Sequence, residues 1–392
     1  MPDGPAYESG RQLPNGYEPP RGATPADAEP LGLLASTVFR GEGSPANAMP
    51  SEFPLLYARA NLPNFRIICY ESTPVSGVGI HIADALCLGH TFRIGSVGSV
   101  CTYPAHRGKG LATMLMFDAE RHMRRAGVDL VIVSGGRGLY RRIKYEPAGL
   151  VRHYAVPAEK SSPRMRWREA AESDVYALAS IYARKPVRFR RSLDDFESTL
   201  AAFRSQARAG PGRTVIAETD GRVVAYLSAL VRQREDKKAL ETNETGGDPE
   251  SVVNLAAALA ADEGVNSFDL GVPGAHEELS IACECRGLSS AERPASGTFK
   301  LLNPAGFLDK MRLVIAERAG TQFAKSLEVG NVAGGCSFRL NGERLDVSNE
   351  AELLRLIFEP GWRIEELGGG RLGKSLAIAF PLPMIMPGFN FI

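Results

Sequence analysis

The sequence predicts an α/β (α+β) protein of mixed sheets flanked by helices. Runs rich in β-branched residues alternate with segments of helical apolar period. The order strand, strand, helix, strand, turn, strand closes a first unit of about 125 residues, a normal domain size. At about 150 residues per domain, the chain's 392 residues make two to three such units.

Residues 1–30 contain seven prolines and four glycines, and Leu13 is their only aliphatic side chain larger than alanine apart from Met1. Such a segment buries too little apolar surface to offset its ordering entropy, so a disordered tail is expected. Residues 31–39 are apolar-periodic, and 53–62 continue as short helix or extended chain. Residues 65–70, 75–82 and 91–102 read as strands, the last ending at Tyr103-Pro104. The period then changes. Leu111, Leu115, Ala119 and His122 share one helical face, Arg121, Arg124 and Arg125 crowd its end, and Gly127 stops it.

Residues 129–134 (DLVIVS) form a buried strand, 138–143 a short segment, and 151–156 a further strand. Residues 157–163 read as a linker. A second unit follows, with helices over 174–184, 192–208 and 252–261, strands over 214–218, 223–231 and 267–271, and a polar loop over 234–249. The remainder holds a helix over 307–318, strands over 326–329 and 337–340, a helix over 348–358, and an apolar strand-like run over 375–385.

Lys and Arg total 46 against 45 Asp and Glu, which gives no electrostatic reason to expect nucleic acid or an anionic membrane as partner. No run approaches the ~20 apolar residues that span a bilayer, and the N-terminus lacks a signal pattern, so a cytoplasmic protein is expected. Cys69, Cys87, Cys101 and Cys336 lie in apolar stretches and read as reduced core residues. Cys283 and Cys285 are spaced one residue too closely for a zinc knuckle, and His276 does not complete a ligand set. They read as residues on one face of a strand, and no metal is expected.

The informative segment is VGSVCTYPAHRGKGLAT, residues 97–113: a strand, a proline turn, and a glycine-rich loop that opens a helix. Its core, from Arg107 to Ala112, is R-x-x-G-x-A. Small residues let the backbone approach a phosphate, free N–H groups at the helix start complement its charge, and Arg107 or Lys109 adds a countercharge. That is the chemistry of a pyrophosphate cradle, with a plain glycine turn as the alternative.

This run resembles the cofactor motif of the GNAT superfamily of acyl-CoA-dependent N-acyltransferases along its whole length. The resemblance implies GNAT-type mixed sheets and acetyl-CoA as co-substrate. Backbone groups of Val100, Cys101 and Thr102 would then pair with the pantetheine arm and polarise the thioester carbonyl. Backbone N–H groups of Arg107, Gly108, Lys109, Gly110, Leu111, Ala112 and Thr113 would hold the pyrophosphate. Downstream, LYRRIKYEPA (139–148) is similar to the family's closing motif, in which a tyrosine protonates the departing thiolate, and Tyr140 takes that place. A phenol of ordinary pKa near 10 carries its proton at neutral pH. Tyr145 is the rival donor, and a core aromatic is the plainer reading of Tyr140.

The order of units resembles the Eis-like (enhanced intracellular survival) acetyltransferases. It implies a catalytic GNAT domain over 31–160 and a degenerate GNAT-like domain over 164–296, where R-x-x-G-x-G/A does not recur. A sterol-carrier-protein-like α+β domain would follow over 297–392. The implied activity is N-acetylation of a primary amine of aminoglycoside, polyamine or lysine type, in a homo-oligomer, a hexamer. In such enzymes the chain terminus enters the catalytic cleft and its carboxylate serves as general base. Here that residue is Ile392, at the end of the run PGFNFI, which otherwise merely finishes the last strand.

GGGRLGKS (368–375) satisfies the phosphate-loop pattern of NTPases. Only seventeen residues follow it, and Pro381, Pro383 and Pro387 exclude the long helix it needs, so a hairpin is expected. His106, His90, Glu52 and Asp84 are auxiliary-base candidates with no spacing argument. Trp167 and Trp362 read as core anchors, the arginine cluster as a solvated helix end, and the sequon-like Asn243-Glu-Thr245 carries nothing in the cytoplasm. The competing class is a non-catalytic protein that binds acyl-CoA or an apolar ligand.

Overall fold

The computed structural model describes residues 13–136, 138–159, 165–205, 212–234, 237–361 and 366–392. The chain opens with β1 (Arg21–Gly22), α1 (Ala28–Arg40), α2 (Ala48–Glu52) and α3 (Pro54–Tyr57). It continues through β2 (Arg66–Tyr70), β3 (Thr73–Cys87), β4 (His90–Thr102), α4 (Leu111–Arg125), β5 (Leu130–Val133), α5 (Gly138–Arg142) and β6 (Leu150–Pro157). The middle holds β7 (Arg166–Glu169), α6 (Val175–Tyr182), β8 (Val187–Phe189), α7 (Leu193–Ser205), β9 (Gly212–Thr219), β10 (Arg222–Arg234), β11 (Lys237–Gly247), α8 (Pro249–Asp262), β12 (Ser267–Pro273), α9 (Glu277–Cys285) and β13 (Ser290–Pro294). The last part holds β14 (Thr298–Leu301), α10 (Pro304–Lys310), α11 (Arg312–Ala319), α12 (Thr321–Ser326), β15 (Glu328–Val332), β16 (Gly335–Leu340), β17 (Glu343–Val347), α13 (Glu350–Phe358) and α14 (Arg371–Ala379). Among the described residues, no helix is long and apolar enough to cross a membrane.

The first sheet runs β1-β2-β3-β4-β5-β14, with β8 also on β3; the second runs β13-β6-β12-β11-β10-β9-β7; the third is β15-β16-β17. The first two repeat one plan. An antiparallel series crosses through a helix to a parallel neighbour, β4 through α4 to β5 and β11 through α8 to β12. The expected boundaries at 160 and 297 cut across both sheets. β6 lies in the second, while β8 and β14 lie in the first, so each sheet is extended by strands from outside its expected unit.

Helix α4 covers one face of the first sheet, packing Leu111, Leu115 and Met123 with Val78, Ile80 and Val97. The opposite face is shared. Leu31 and Leu34 of α1 cluster with Phe65 at one end, and Phe307, Leu353 and Ile357 of the C-terminal unit cluster with Phe92 and Ile94 at the other. Each such buried side chain contributes about 1.5–3 kcal/mol.

Several expectations are corrected. Residues 13–30 are not a tail, and 1–12 lie outside the described residues. β1 pairs with β2, and Arg21 makes two bonds to Asp27, at 2.8 and 2.9 Å. Asp27 also accepts from the Thr24 N–H at 2.7 Å. The segment is thus ordered by strand pairing with the sheet beneath it and by an ion pair within itself, not by a core of its own.

The polar loop expected over 234–249 is largely β11. The strand's acid Glu244, which suggested a solvated loop, is buried and paired with Arg191 at 2.7 Å. The strand-like run over 375–385 begins as α14, where Leu372, Leu376 and Ala379 bury one helical face before the prolines. The GGGRLGKS run starts that helix instead of forming a hairpin. The Glu343 carboxylate occupies the place of a phosphate there, accepting from the N–H groups of Arg371 and Leu372 at 3.1 and 2.9 Å. Cys283 and Cys285 sit on α9, one buried and one exposed, not on a strand. Trp167 packs at the edge of the second sheet's core. Trp362, Arg137 and residues 160–163 of the expected linker lie outside the described residues.

Candidate active site

The register of β4 against β3 sets Gly77 opposite Cys101 and Gly79 opposite Gly98, so Ser99 and Val100 together face the single residue Val78. This is a β-bulge. Ser99 takes φ 50°, left-handed for a residue with a side chain, and its hydroxyl hydrogen-bonds the Tyr57 phenol. Pairing of β4 with β5 stops at Val97. Beyond it Cys101 and Thr102 follow β3 alone, which leaves a parted strand edge. Burial pushes the Cys101 thiol up to about 12, so it stays un-ionised.

The edge runs into the glycine turn. Gly108 and Gly110 both take φ 77°, and Gly110 is the left-handed N-cap of α4. That cap makes no side-chain bond, and the first turn carries no acid. The early N–H groups of α4 therefore have no capping side chain, an arrangement suited to a pyrophosphate. The counterpart helix α8 differs. Asp248 caps it by accepting from the Ser251 N–H at 2.8 Å, and Glu250 follows in its first turn. The second unit thus places acids at the helix start that α4 leaves without one.

Arg107 Nε donates to the Thr102 carbonyl at 3.1 Å, and Lys109 Nζ donates to the Tyr17 hydroxyl at 2.7 Å. His106 Nδ1 shares that hydroxyl at 2.7 Å, and Tyr17 also rests on the Tyr70 ring. Burial first, and Lys109 second, hold the His106 pKa below its ordinary value. The segment expected as a tail thus supplies Tyr17 to the edge of the turn.

Tyr140 lies on α5, buried in the same apolar cluster as Val100, Leu111 and Val133. Tyr145 is fully buried, with the Lys300 ammonium 5.3 Å from its ring centre and no hydrogen-bond partner for its hydroxyl. Burial holds that phenol well above its ordinary pKa. The rival donor is therefore a core ring.

Ile392 reaches the opposite side of the bulge. A Cβ on Gly98 would stand 2.7 Å from the terminal carbon and 2.9 Å from its oxygen. The Ile392 side chain joins the Leu31, Leu34 and Phe65 cluster, and its residue forms part of a cavity of about 350 Å³ with Arg40, Glu52, Phe203, Asn243 and Phe389. The segment is pinned upstream. Asn390 accepts from Arg191 at 2.5 Å, and the Phe389 ring packs on Phe203 at 5.2 Å.

Of the auxiliary candidates, Glu52 lines this cavity in an ion pair with Arg40. Asp84 pairs with Arg93 at 3.3 Å instead. His90 begins β4, eight residues and about 26 Å of strand from Gly98. Sequence reasoning missed His81 and Ser96. They are cross-strand partners next to the Gly79–Gly98 pair, and His81 Nδ1 and Ser96 Oγ are buried without a hydrogen-bond partner. Ser96 lies two residues from Gly98 and so shares its face. Only strand register could have revealed them.

Residues 20–148 match the family model described as an acetyltransferase (GNAT) domain. No curated protein matches the sequence. Among solved structures, a GCN5-related N-acetyltransferase from Anabaena variabilis is similar with a TM-score of 0.62 at 12% identity, over 94% of this chain and 97% of that one. One from Kribbella flavida gives 0.57 at 13%, over 94% and 99%. Eis1 from Mycobacterium abscessus gives 0.58 at 11%, over 94% and 99%. At these identities the likeness is one of fold. Residues 20–148 are a GNAT acetyltransferase domain, set in a chain whose fold is shared along most of its length with GCN5-related N-acetyltransferases.

Proposed function

We propose that the protein acetylates a primary amine by direct attack on the thioester of acetyl-CoA. The observation that carries this is the convergence on one bulged strand of an uncapped glycine turn, a parted edge and the chain's own carboxylate. The N–H groups from Arg107 to Thr113 hold the pyrophosphate, and the backbone of Val100, Cys101 and Thr102 aligns the pantetheine arm. When bound, acetyl-CoA supplies an acetyl group already activated as a thioester. The Ile392 carboxylate takes a proton from the amine as its nitrogen attacks, and the Tyr140 hydroxyl gives one to the departing sulfur. Between them these groups keep the charge balanced. The cavity beside Ile392 receives the amine, with Glu52 as the acid in its wall.

By the same resemblance the C-terminal unit is a sterol-carrier-like accessory and the assembly a hexamer. Sedimentation as a single 42.2 kDa species would exclude that assembly. The activity is tested by thiol release from acetyl-CoA with a panel of aminoglycosides, polyamines and lysine peptides. Turnover with one class is the expected result. Acetyl-CoA binding without turnover on any amine would mark a non-catalytic binder.

A further inference from the structure

The second sheet parts as the first does, but further. β11 and β12 pair at the single position Glu241–Asp269, and then separate. The opening holds two adjoining cavities of about 140 and 650 Å³ that share Lys185, Thr245, Ala275 and His276. The outer one is rimmed by acids, with Asp248 capping α8 and Glu277 and Glu278 at the start of α9.

The inner cavity presents hydrogen-bond donors. Lys185 Nζ donates to the Thr245 carbonyl at 3.0 Å. Asn243 Nδ2 is buried without a partner. Glu244 is the one acid that acts on Lys185, and its oxygens are taken. Oε1 accepts from Arg191 at 3.0 Å and from the Tyr226 hydroxyl at 2.9 Å, and Oε2 accepts from Arg191 at 2.7 Å and from the Phe389 N–H at 3.3 Å. Burial, with Arg191 adding to it and Glu244 opposing, lowers the Lys185 pKa to about 8, so an anion beside it would restore its charge. His276 adds no charge, because burial lowers its pKa to about 3. Asp269, beside the cavity, is held by His153 at 2.7 Å and Arg293 at 2.6 Å. Arg188, His153, Thr242 and Ser296 also line the cavity, among apolar residues that include Val151, Val187, Ala275 and Met384. Its volume is comparable to the ~150 Å³ cavity that accepts benzene in an apolar core.

We propose that this cavity binds a small monocarboxylate with a short apolar body, its carboxylate held by Lys185 Nζ and Asn243 Nδ2. The Lys185 ammonium gains a counterion, the orphaned amide is satisfied, and the apolar body fills the wall. The site is distinct from the acetyl-CoA turn, meets the cavity beside Ile392 at Asn243 and Gly388, and does not rest on the acyl-transfer reading.

The test is calorimetric titration of the full chain with hexanoate and with its uncharged isostere hexanamide, on the wild type, Lys185→Met and Lys185→Arg. The wild type is expected to bind hexanoate about tenfold or more tightly than hexanamide. Lys185→Met is expected to remove that preference and Lys185→Arg to keep part of it, with acetyl-CoA affinity equal in all three. Lys185 does not line the cavity beside Ile392, so hexanoate bound there would be indifferent to these changes. Equal affinity for hexanoate and hexanamide in the wild type, no heat at millimolar hexanoate, or unchanged hexanoate binding in a folded Lys185→Met variant would each overturn the proposal. If Lys185→Met does not fold, the wild-type comparison of the two ligands decides alone.

Discussion

Gly98 is the floor on which Ile392 ends. A single methyl group at Gly98 would stand 2.7 Å from the terminal carbon, well inside contact distance. Gly98→Ala therefore lifts the chain end from β4 while leaving the glycine turn, ten residues on, untouched. Misplacing a reacting group by about 1 Å costs on the order of 10² in rate. Turnover is expected to fall by about that factor with acetyl-CoA affinity unchanged. Two glycines added after Ile392, which shift the carboxylate by about 6–7 Å if extended, should reproduce the loss. Full activity in both variants would make the chain end structural and turn attention to Glu52 or to water held by His81 and Ser96.

Tyr140 and Tyr145 separate by substitution to phenylalanine. Tyr140→Phe keeps the buried ring and removes the proton donor, so turnover should fall by ~10²–10⁴ while acetyl-CoA still binds. Tyr145→Phe removes a hydroxyl sealed in the core beside Glu120 and should leave turnover within a few-fold of wild type. Steady-state rates of the two variants check this, and the reverse ranking would exchange their roles.

What the sequence discloses and what it hides divide by range. The glycine turn from Pro104 to Thr113 is legible because its determinants are neighbours: a proline, two glycines, and a switch from strand to helical period. The contact of Ile392 with Gly98 and the pairing of His81 with Ser96 depend on register between distant segments, which local patterns do not encode. The segment holding Tyr17 and Arg21 looked unfoldable because its own apolar content is small. Its order comes from partners on β2 and the glycine turn. β11 was obscured for a related reason, since the counterion of Glu244 lies on another element.

The docked N-terminal segment should respond to acid. Hydrogen bonding to Arg21, ahead of the opposing effect of burial, lowers the Asp27 carboxyl from 3.8 to about 2. A depressed acid stabilises the fold fully above its ordinary pKa and loses that contribution as pH falls through the folded value. The segment around Arg21 is therefore expected to loosen between about pH 4 and 2. Asp27→Asn should loosen it already at neutral pH. Hydrogen exchange of the amides from Arg21 to Ala28 reads both effects, and full protection in Asp27→Asn would show that strand pairing alone holds the segment.

The acetyl-CoA assignment is tested most directly at Gly110. Its φ of 77° is one that side chains rarely adopt, and its position is the N-cap of α4. A valine there is strained by about 1–2 kcal/mol or more if the turn keeps its shape. If the turn instead relaxes, the early N–H groups of α4 move away from a common target. Leu111, Met114 and Leu115 stay buried below, so the domain itself should persist. Gly110→Val is thus expected to melt a few degrees below wild type while losing most of its acetyl-CoA affinity by calorimetry. Asp248 offers a second route to the same test, since Gly110→Asp places in α4 the acid that closes α8. That variant should also lose acetyl-CoA, with less strain, because aspartate tolerates the left-handed region better than valine. Wild-type affinity in both folded variants would move the pyrophosphate site away from this turn.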